Sequence, residues 1–423
     1  MKVLHVSTSD GGGGAARAAY RLHSALCRSG ISSLMRTADK TTDDPSVLGP
    51  VDAAERLGFQ LKLRLAQRLN RLQRSPNRIF HSVDWFPSRL DRFINAADAD
   101  VVHLHWIHHN FLSIEAIGRI RKPIVWTLHD SWAFCGAEHH PHGLDDTRNR
   151  EGYGRSNRPA THGRFDLDRW CWQRKKRAWT RPMHVVCPSR WLAECARSSA
   201  LMREWPVSTV PNVVPIDVYR PLPRSTARDL FRLPQDVPLL LFGAVGGTQD
   251  PNKGWDLLVA ALQAARPLIP SAQAVVFGRA DRNAAGQLPL PVHFVGHLHD
   301  DQALALLYSA GDLVVVPSRI ENLPQAATEA QSCGVPVVAF RAGGMPEAVE
   351  HCVTGFLATP YDPLDLARGI EWVLQDKNRY CHLSLKARAA AAAKWSEGVV
   401  ARSYGDIYDL AIRMRDLWPT SHP

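Results

Sequence analysis

Two glutamates, Glu321 and Glu329, stand eight residues apart in the stretch Pro317-Ser-Arg-Ile-Glu-Asn-Leu-Pro-Gln-Ala-Ala-Thr-Glu-Ala. The apolar run Leu313–Val316 precedes this stretch and Val335–Ala339 follows it. Glu321 therefore falls in the loop after a strand, and Glu329 about two turns into the next helix. Both carboxylates are expected near the carboxyl ends of a parallel sheet, where α/β folds bind ligands. A carboxylate accepts hydrogen bonds from vicinal hydroxyls such as those of ribose or a hexose. Backbone N–H groups at the helix start, through Asn322, Leu323 and on to Ala326 with Pro324 excepted, suit phosphate oxygens.

Three further positions carry chemistry. Gly11–Gly14, followed by Ala15-Ala-Arg, opens the first helix, so bare backbone at Gly12 and Gly13 can approach a ligand at a helix amino terminus. The Gly11-x-Gly13-x-x-Ala16 spacing also fits a dinucleotide fingerprint, but glycine runs satisfy that cheaply and no ribose-binding acid ends the second strand. Lys253, before Gly254, is suited to neutralising a diphosphate leaving group, or is a solvated loop lysine. His129, following Ile124–Leu128, is suited to a sugar hydroxyl, or is a structural histidine. Cys135, His139, His140, His142 and Cys171 have zinc-ligand chemistry but lack paired Cys-x2-Cys spacing, so no metal site is expected there or at Asp166-Leu-Asp168.

The elements that must position these groups alternate. Val3–Val6, Val101–Leu104, Ile124–Leu128 and His184–Cys187 read as strands in the first half, with a helix near Ala15–Ser29. Leu239–Phe242, Ala274–Phe277, His293–Val295, Leu313–Val316 and Val335–Ala339 form a second set. Strands alternating with helices predict two parallel, helix-covered sheets. The prolines of Val210-Pro-Asn-Val-Val-Pro-Ile-Asp place a linker between the sets. Expected domains are 1–209, 210–395, and a helix and tail at 396–423.

Composition narrows the class. At 423 residues with 45% hydrophobic and 22% charged residues, the chain is long enough for two or three folded domains and has no bias toward disorder or coiled coil. Its formal charge of +10 favours anionic partners: phosphorylated substrate, acidic lipid or nucleic acid. No apolar run approaches the ~18 residues of a membrane span, and eight scattered cysteines suit reduced thiols. A cytoplasmic location is expected. Between 55 and 74, Leu57, Leu61, Leu65, Leu69 and Leu72 share a stripe among arginines. That pattern fits a helix on an anionic membrane, here the inner face of the cytoplasmic membrane, or a helix packed on its own domain with a solvated basic face. The basic, tryptophan-rich stretch 148–181 reads as an insertion that contacts acceptor or membrane, or as solvated surface.

Taken with the Gly-rich first loop, Thr127-Leu-His-Asp, Pro188-Ser, Val210-Pro-Asn, Asn252-Lys-Gly and Ala342-Gly-Gly-Met-Pro-Glu, the Glu321–Glu329 segment resembles the retaining glycosyltransferases of family 4 over residues 1 to 375. His129-Asp-Ser-Trp-Ala-Phe-Cys-Gly-Ala-Glu-His is similar to a subgroup from bacterial exopolysaccharide and O-antigen clusters. The resemblance implies a GT-B architecture: two Rossmann-like domains with parallel sheets facing a central cleft, and a C-terminal helix crossing back to the first domain. It further implies a nucleotide-diphosphate sugar donor, a hydroxyl acceptor on a lipid-linked glycan, and no cofactor or metal. By resemblance, Glu321 and His129 contact the donor sugar, Glu329 binds ribose, and Lys253, Gly12, Gly13, Asn322 and Leu323 serve the donor phosphates. An arginine that usually accompanies the lysine is replaced in Gly243-Ala-Val-Gly-Gly-Thr, leaving Arg279 or Arg319 as substitutes. A nucleotide-sugar epimerase of the same architecture and a nucleic-acid-binding protein are the alternative readings.

Overall fold

The computed structural model describes residues 1–70, 80–141, 146–160, 162, 165–244, 250–278 and 286–416. The chain divides into two units, Met1–Val210 with Ala401–Pro423, and Pro211–Val400. The first is a seven-stranded sheet of β1 (Lys2–Ser9), β2 (Ser32–Asp39), β3 (Val47–Leu48), β4 (Val101–Leu104), β5 (Ile124–Thr127), β6 (His184–Cys187) and β7 (Val207–Thr209). Its order is β3-β2-β1-β4-β5-β6-β7, and every pairing is parallel. Residues 101–104 and 124–127 are wholly buried, as strands covered by helices on both faces require.

Strand order reverses between β1 and β4, so the loops after these strands diverge and leave a crevice at their carboxyl ends. The loop Ser9–Gly14 and the residues following β4 and β5 meet there. The helix Glu397–Asp416 brings the end of the chain onto this sheet: Tyr408 Oη lies 2.7 Å from His103 Nδ1 and Tyr404 Oη 2.8 Å from Thr127 Oγ1. The expected crossing-back helix is thus present.

The second unit is a six-stranded parallel sheet of β8 (Leu239–Ala244), β9 (Gln273–Gly278), β10 (Val292–Gly296), β11 (Leu313–Val316), β12 (Val337–Phe340) and β13 (Gly355–Ala358). Its order, β10-β9-β8-β11-β12-β13, reverses between β8 and β11. Leu241, Val275, Val314 and Val337 enter the core on one face, and Leu240, Val276, Val315 and Val338 that on the other. Alternate residues of one strand thus serve two apolar layers. Burying both faces fixes the register and aims the loop after β11 at the crevice.

Candidate donor and sugar sites

The loop Pro317–Pro324 leaves β11 and feeds the helix Gln325–Ser332. Glu321 Oε1 stands 2.7 Å from Lys253 Nζ, joining two predicted residues 68 positions apart. Lys253 ends a short turn, Pro251–Lys253, whose Asp250 carboxylate accepts from Asn252 N at 2.9 Å. The neighbouring Glu321 charge holds the Lys253 ammonium above its ordinary pKa against the opposing effect of burial. The lysine is therefore charged at neutral pH.

Two glycines permit this approach. Gly254 has φ +64°, and a Cβ there would collide with the Pro317 carbonyl. Gly343, at φ +57°, passes equally close to the Glu321 backbone, and Gly344 N donates to Glu321 O at 2.8 Å. Arg319 N donates to Asn252 O at 2.8 Å, and its guanidinium bonds Pro251 O at 2.7 Å and Asp256 Oδ2 at 2.6 Å. Arg319 therefore staples the lysine turn to the glutamate loop, so the role of substitute phosphate clamp does not fit it. Its other proposed substitute, Arg279, lies outside the described residues.

Glu329 is buried, and its Oε2 accepts from Tyr308 Oη at 2.9 Å. It is no surface residue of an amphipathic helix. Tyr308 was not apparent from sequence, where it reads only as one apolar position beside Leu304 and Leu307; a buried tyrosine's need for a polar partner is the usable signal. Leu323 packs its side chain into the core, so any donor contact falls to its N–H. Asn322 is also buried.

In the first unit, Gly12 adopts φ +81°, and the positions a Cβ would take at Gly12 and Gly13 face open space. The helix Gly14–Arg28 has neither a capping side chain nor an acid in its first turn, so its amino-terminal end adds positive potential to the loop. Asp10, also missed, anchors this loop. Its carboxylate accepts from Thr41 N and Oγ1 at 2.7 and 2.8 Å, and from Thr42 N and Oγ1 at 3.0 and 2.7 Å.

His129 Nε2 lies 3.3 Å from His105 Nδ1, whose Nε2 lies 2.9 Å from His5 Nδ1. Burial pushes His129 down to about 4, so it is neutral at physiological pH and offers one donor and one acceptor. Asp130 accepts from Trp132 N at 2.9 Å and from Trp106 Nε1 at 3.2 Å, with His139 Nδ1 at 2.6 Å from the same oxygen as Trp106. Although burial raises the Asp130 pKa, His139 and His108 outweigh that and hold it well below the carboxylate range.

Three other stretches singled out in the sequence can now be located. Cys135 and Cys171 are buried with thiols pushed upward, Cys171 to about 12, and Cys171 Sγ donates to Val83 O at 3.7 Å while His139 bonds Asp130 and Ser82. Cys135 and Cys171 are thus not placed as thiolate zinc ligands; His142 lies outside the described residues. The stretch 148–181 is mixed: Arg148, Trp172, Arg174, Lys175 and Trp179 are buried, while Arg150, Arg155, Trp170, Lys176, Arg177 and Arg181 are exposed. Arg148 pairs with Asp166 at 2.8 Å, Arg174 with Glu115 at 2.7 Å, and buried Lys175 donates to the carbonyls of Trp132, Cys135 and Gly136 beneath the Trp132 ring. The buried basic residues Arg148, Arg174 and Lys175 tie the unit together because each finds a carboxylate, a carbonyl or an aromatic face. The helix at 55–74 is described as Ala53–Asn70. Its Leu57, Leu61 and Leu65 are 72%, 56% and 37% exposed while Phe59 packs on the core, so the leucine stripe faces outward. The side chain of Leu69, and Arg71, Leu72 and Arg74 entire, fall outside the described residues.

Comparison with known proteins extends over both units. Residues 12–218 match the family described as Glycosyltransferase Family 4, and residues 240–376 match Glycosyl transferases group 1. D-inositol 3-phosphate glycosyltransferase of Thermobispora bispora is 33% identical over 222 residues, covering 49% of this chain and 51% of that protein. The same enzyme of Mycolicibacterium smegmatis is 35% identical over 199 residues, 44% of each chain. The matches thus span about half the length of these curated relatives. Among solved structures, Anabaena HepE in complex with UDP and glucose aligns with a TM-score of 0.64 at 19% identity, over 97% of this chain and 100% of that one. Sucrose-phosphate synthase from Thermosynechococcus elongatus aligns at 0.65 and 20% identity, over 98% and 100%.

Proposed function

Because the chain belongs to glycosyltransferase family 4 and carries the two Rossmann-like domains of the GT-B fold, we propose that it is a retaining transferase. It moves a sugar from a nucleotide-diphosphate donor to a hydroxyl of a lipid-linked glycan in bacterial surface or exopolysaccharide synthesis. The observation that carries the reading is the Lys253–Glu321 pair at 2.7 Å, held on a loop at the carboxyl end of β11. A cation beside a carboxylate, both tethered by backbone contacts, suits a ligand with anionic phosphate next to hydroxyls.

In the proposed step the bond from the anomeric carbon to the diphosphate oxygen breaks, and a bond to the acceptor oxygen forms on the same face. The acceptor proton passes to the departing phosphate oxygen. Lys253, the amides opening the helix Gln325–Ser332 and those at Gly12–Gly13 stabilise the negative charge that develops on the diphosphate. Glu321 turns from Lys253 toward the sugar hydroxyls and the electron-poor anomeric centre. Glu329, steadied by Tyr308, takes the ribose hydroxyls, and neutral His129 bonds a sugar hydroxyl. These groups supply the charge neutralisation, and no metal is assigned to the transfer.

The outward leucines of the helix Ala53–Asn70, flanked by Arg56, Arg64 and Arg68, support peripheral contact with an anionic membrane presenting the acceptor. No described helix is long and apolar enough to cross a membrane. Thermal stabilisation by UDP, GDP and ADP, followed by release of nucleotide from the matching sugar donors in the presence of extracted lipid-linked glycan, tests the reading. UDP comes first because HepE was solved with it. Stabilisation by one nucleotide together with acceptor-dependent turnover is expected. Absence of stabilisation by all three overturns the reading.

A further inference from the structure

The residues around His139 point to a site separate from the donor chemistry. We propose that His108, Asp130 and His139 bind a divalent transition metal, zinc being the best match, which fixes the loop that carries His129. One donor atom from each residue lies within 4.8 Å of the other two. His108 follows β4, Asp130 follows β5, and His139 lies on the segment returning from β5, so three separate stretches converge at the crevice end of the sheet.

Each ligand is oriented from behind, as metal-binding imidazoles and carboxylates are. His108 Nδ1 lies 2.7 Å from Asp84 Oδ2, and Asp84 is itself fixed by Asn110 N donating to Oδ1 at 2.8 Å. With a proton on Nδ1, the coordinating atom is Nε2, which makes no hydrogen bond among the described residues. His139 Nε2 lies 2.9 Å from Ser82 Oγ, a hydroxyl free to rotate from donor to acceptor. In the Nε2–H tautomer, with Ser82 Oγ turned to accept, Nδ1, which now lies 2.6 Å from Asp130 Oδ2, carries no proton and offers its lone pair to the metal. Asp130 is held by Trp132 N at 2.9 Å and Trp106 Nε1 at 3.2 Å.

The surroundings agree. Phe80 and Trp132 rings stand 4.9 Å from His139 and 4.3 Å from His108, forming an aromatic wall. Asp84, His109 and Asn110 adopt φ of +41°, +64° and +61°, a backbone cost concentrated on the very residues that orient His108. Two imidazoles and one carboxylate suit zinc, cobalt or nickel better than magnesium or calcium. The other two clusters of comparable spacing lack this character. The nitrogens of His5, His103 and His105 are largely engaged with one another, Thr127, Tyr408 and His129, while Asp166 and Asp168 near His162 face Arg148.

The test uses the full chain, stripped with a chelator and titrated with Co2+ and then Zn2+. One equivalent of Co2+ is expected to produce the intense visible bands of a low-coordinate site, and Zn2+ to displace them and raise the melting temperature. His108→Gln should abolish the bands. Asp84→Asn, which keeps the side chain's shape, should weaken affinity about tenfold, and His162→Gln should leave binding intact. If His108→Gln fails to fold, the wild-type titration and Asp84→Asn still decide. Absence of bands and of any melting shift in the wild-type chain reduces the triad to a hydrogen-bonded network and overturns the proposal, as does binding that survives His108→Gln or disappears in His162→Gln.

Discussion

Breaking the Lys253–Glu321 pair from either side should give effects of opposite sign on nucleotide binding. At 2.7 Å the gross attraction is about 6 kcal/mol for an effective dielectric of 20. The side chains are 29% and 16% exposed, so solvent competes with the pair and the net coupling falls to roughly 1–2 kcal/mol. A diphosphate must compete with Glu321 for the lysine. Lys253→Met removes the cation, and a loss of about 2.7 kcal/mol corresponds to about 100-fold weaker binding. At a nucleotide concentration of 100 times the wild-type Kd, stabilisation should then fall from about 2.7 to about 0.4 kcal/mol. Glu321→Gln instead frees the full lysine charge and should tighten nucleotide binding by about 5- to 30-fold, the equivalent of 1–2 kcal/mol. Transfer should nonetheless slow by about 100-fold or more, because the carboxylate proposed to face the anomeric centre is gone. Isothermal titration with UDP and turnover of the sugar donor read the two quantities separately. Weaker nucleotide binding in Glu321→Gln, or unchanged binding in Lys253→Met, would refute the assignment of the lysine to phosphate.

Tyr308→Phe should cost about 1 kcal/mol of stability in a denaturant melt and raise the donor KM, since Glu329 loses the group that steadies it; an unchanged KM would separate Glu329 from the donor. His129 is depressed to about 4, so the unfolded chain binds more protons between the ordinary histidine value near 6.5 and that point, and stability is lost as pH falls through this window. A single such group contributes about 3 kcal/mol across it, and His5, His103 and His105 shift in the same direction. Urea midpoints should therefore drop between pH 6.5 and 4, less steeply in His129→Gln; parallel profiles for the two chains would contradict the neutral assignment. Lys175→Met leaves the carbonyls of Trp132, Cys135 and Gly136 without their donor and should destabilise by about 3 kcal/mol, visible as a lowered midpoint with no change in nucleotide affinity per folded molecule.

Much of this arrangement was legible in the chain. Val101–Leu104 and Leu313–Val316 are short β-branched runs buried on both faces, the strongest strand signal a sequence carries. The Glu321 loop followed from the strand before it and the helix after it. β2 was missed because Ser33, Arg36 and Thr37 are buried there without being apolar: His23 Nδ1 lies 2.7 Å from Ser33 Oγ, and Arg36 pairs with Glu55. Such a strand becomes readable only when its partners are known. The same limit hid Asp10, an acid whose purpose lies 31 residues away at Thr41, and the enclosure of Lys175 within 148–181. Charge counting cannot distinguish a lysine in water from one enclosed by three carbonyls. The leucine stripe of the helix Ala53–Asn70 left two readings open in the sequence, since helical periodicity identifies an apolar face but not what covers it.

The chain passes from the first unit to the second at Val210 and returns at Ala401. During synthesis, His103 and Thr127 emerge 305 and 277 residues before Tyr408 and Tyr404, so their sheet must wait for the helix that carries those tyrosines before they gain their partners. The second unit, continuous from Pro211 to Val400, has all of its sequence before that moment. Translation order and completion order are therefore inverted: the amino-terminal unit is finished last. A message truncated just before codon 401 would yield an intact second unit beside a first one whose buried His103 lacks its tyrosine, a species for chaperones and proteases to recognise.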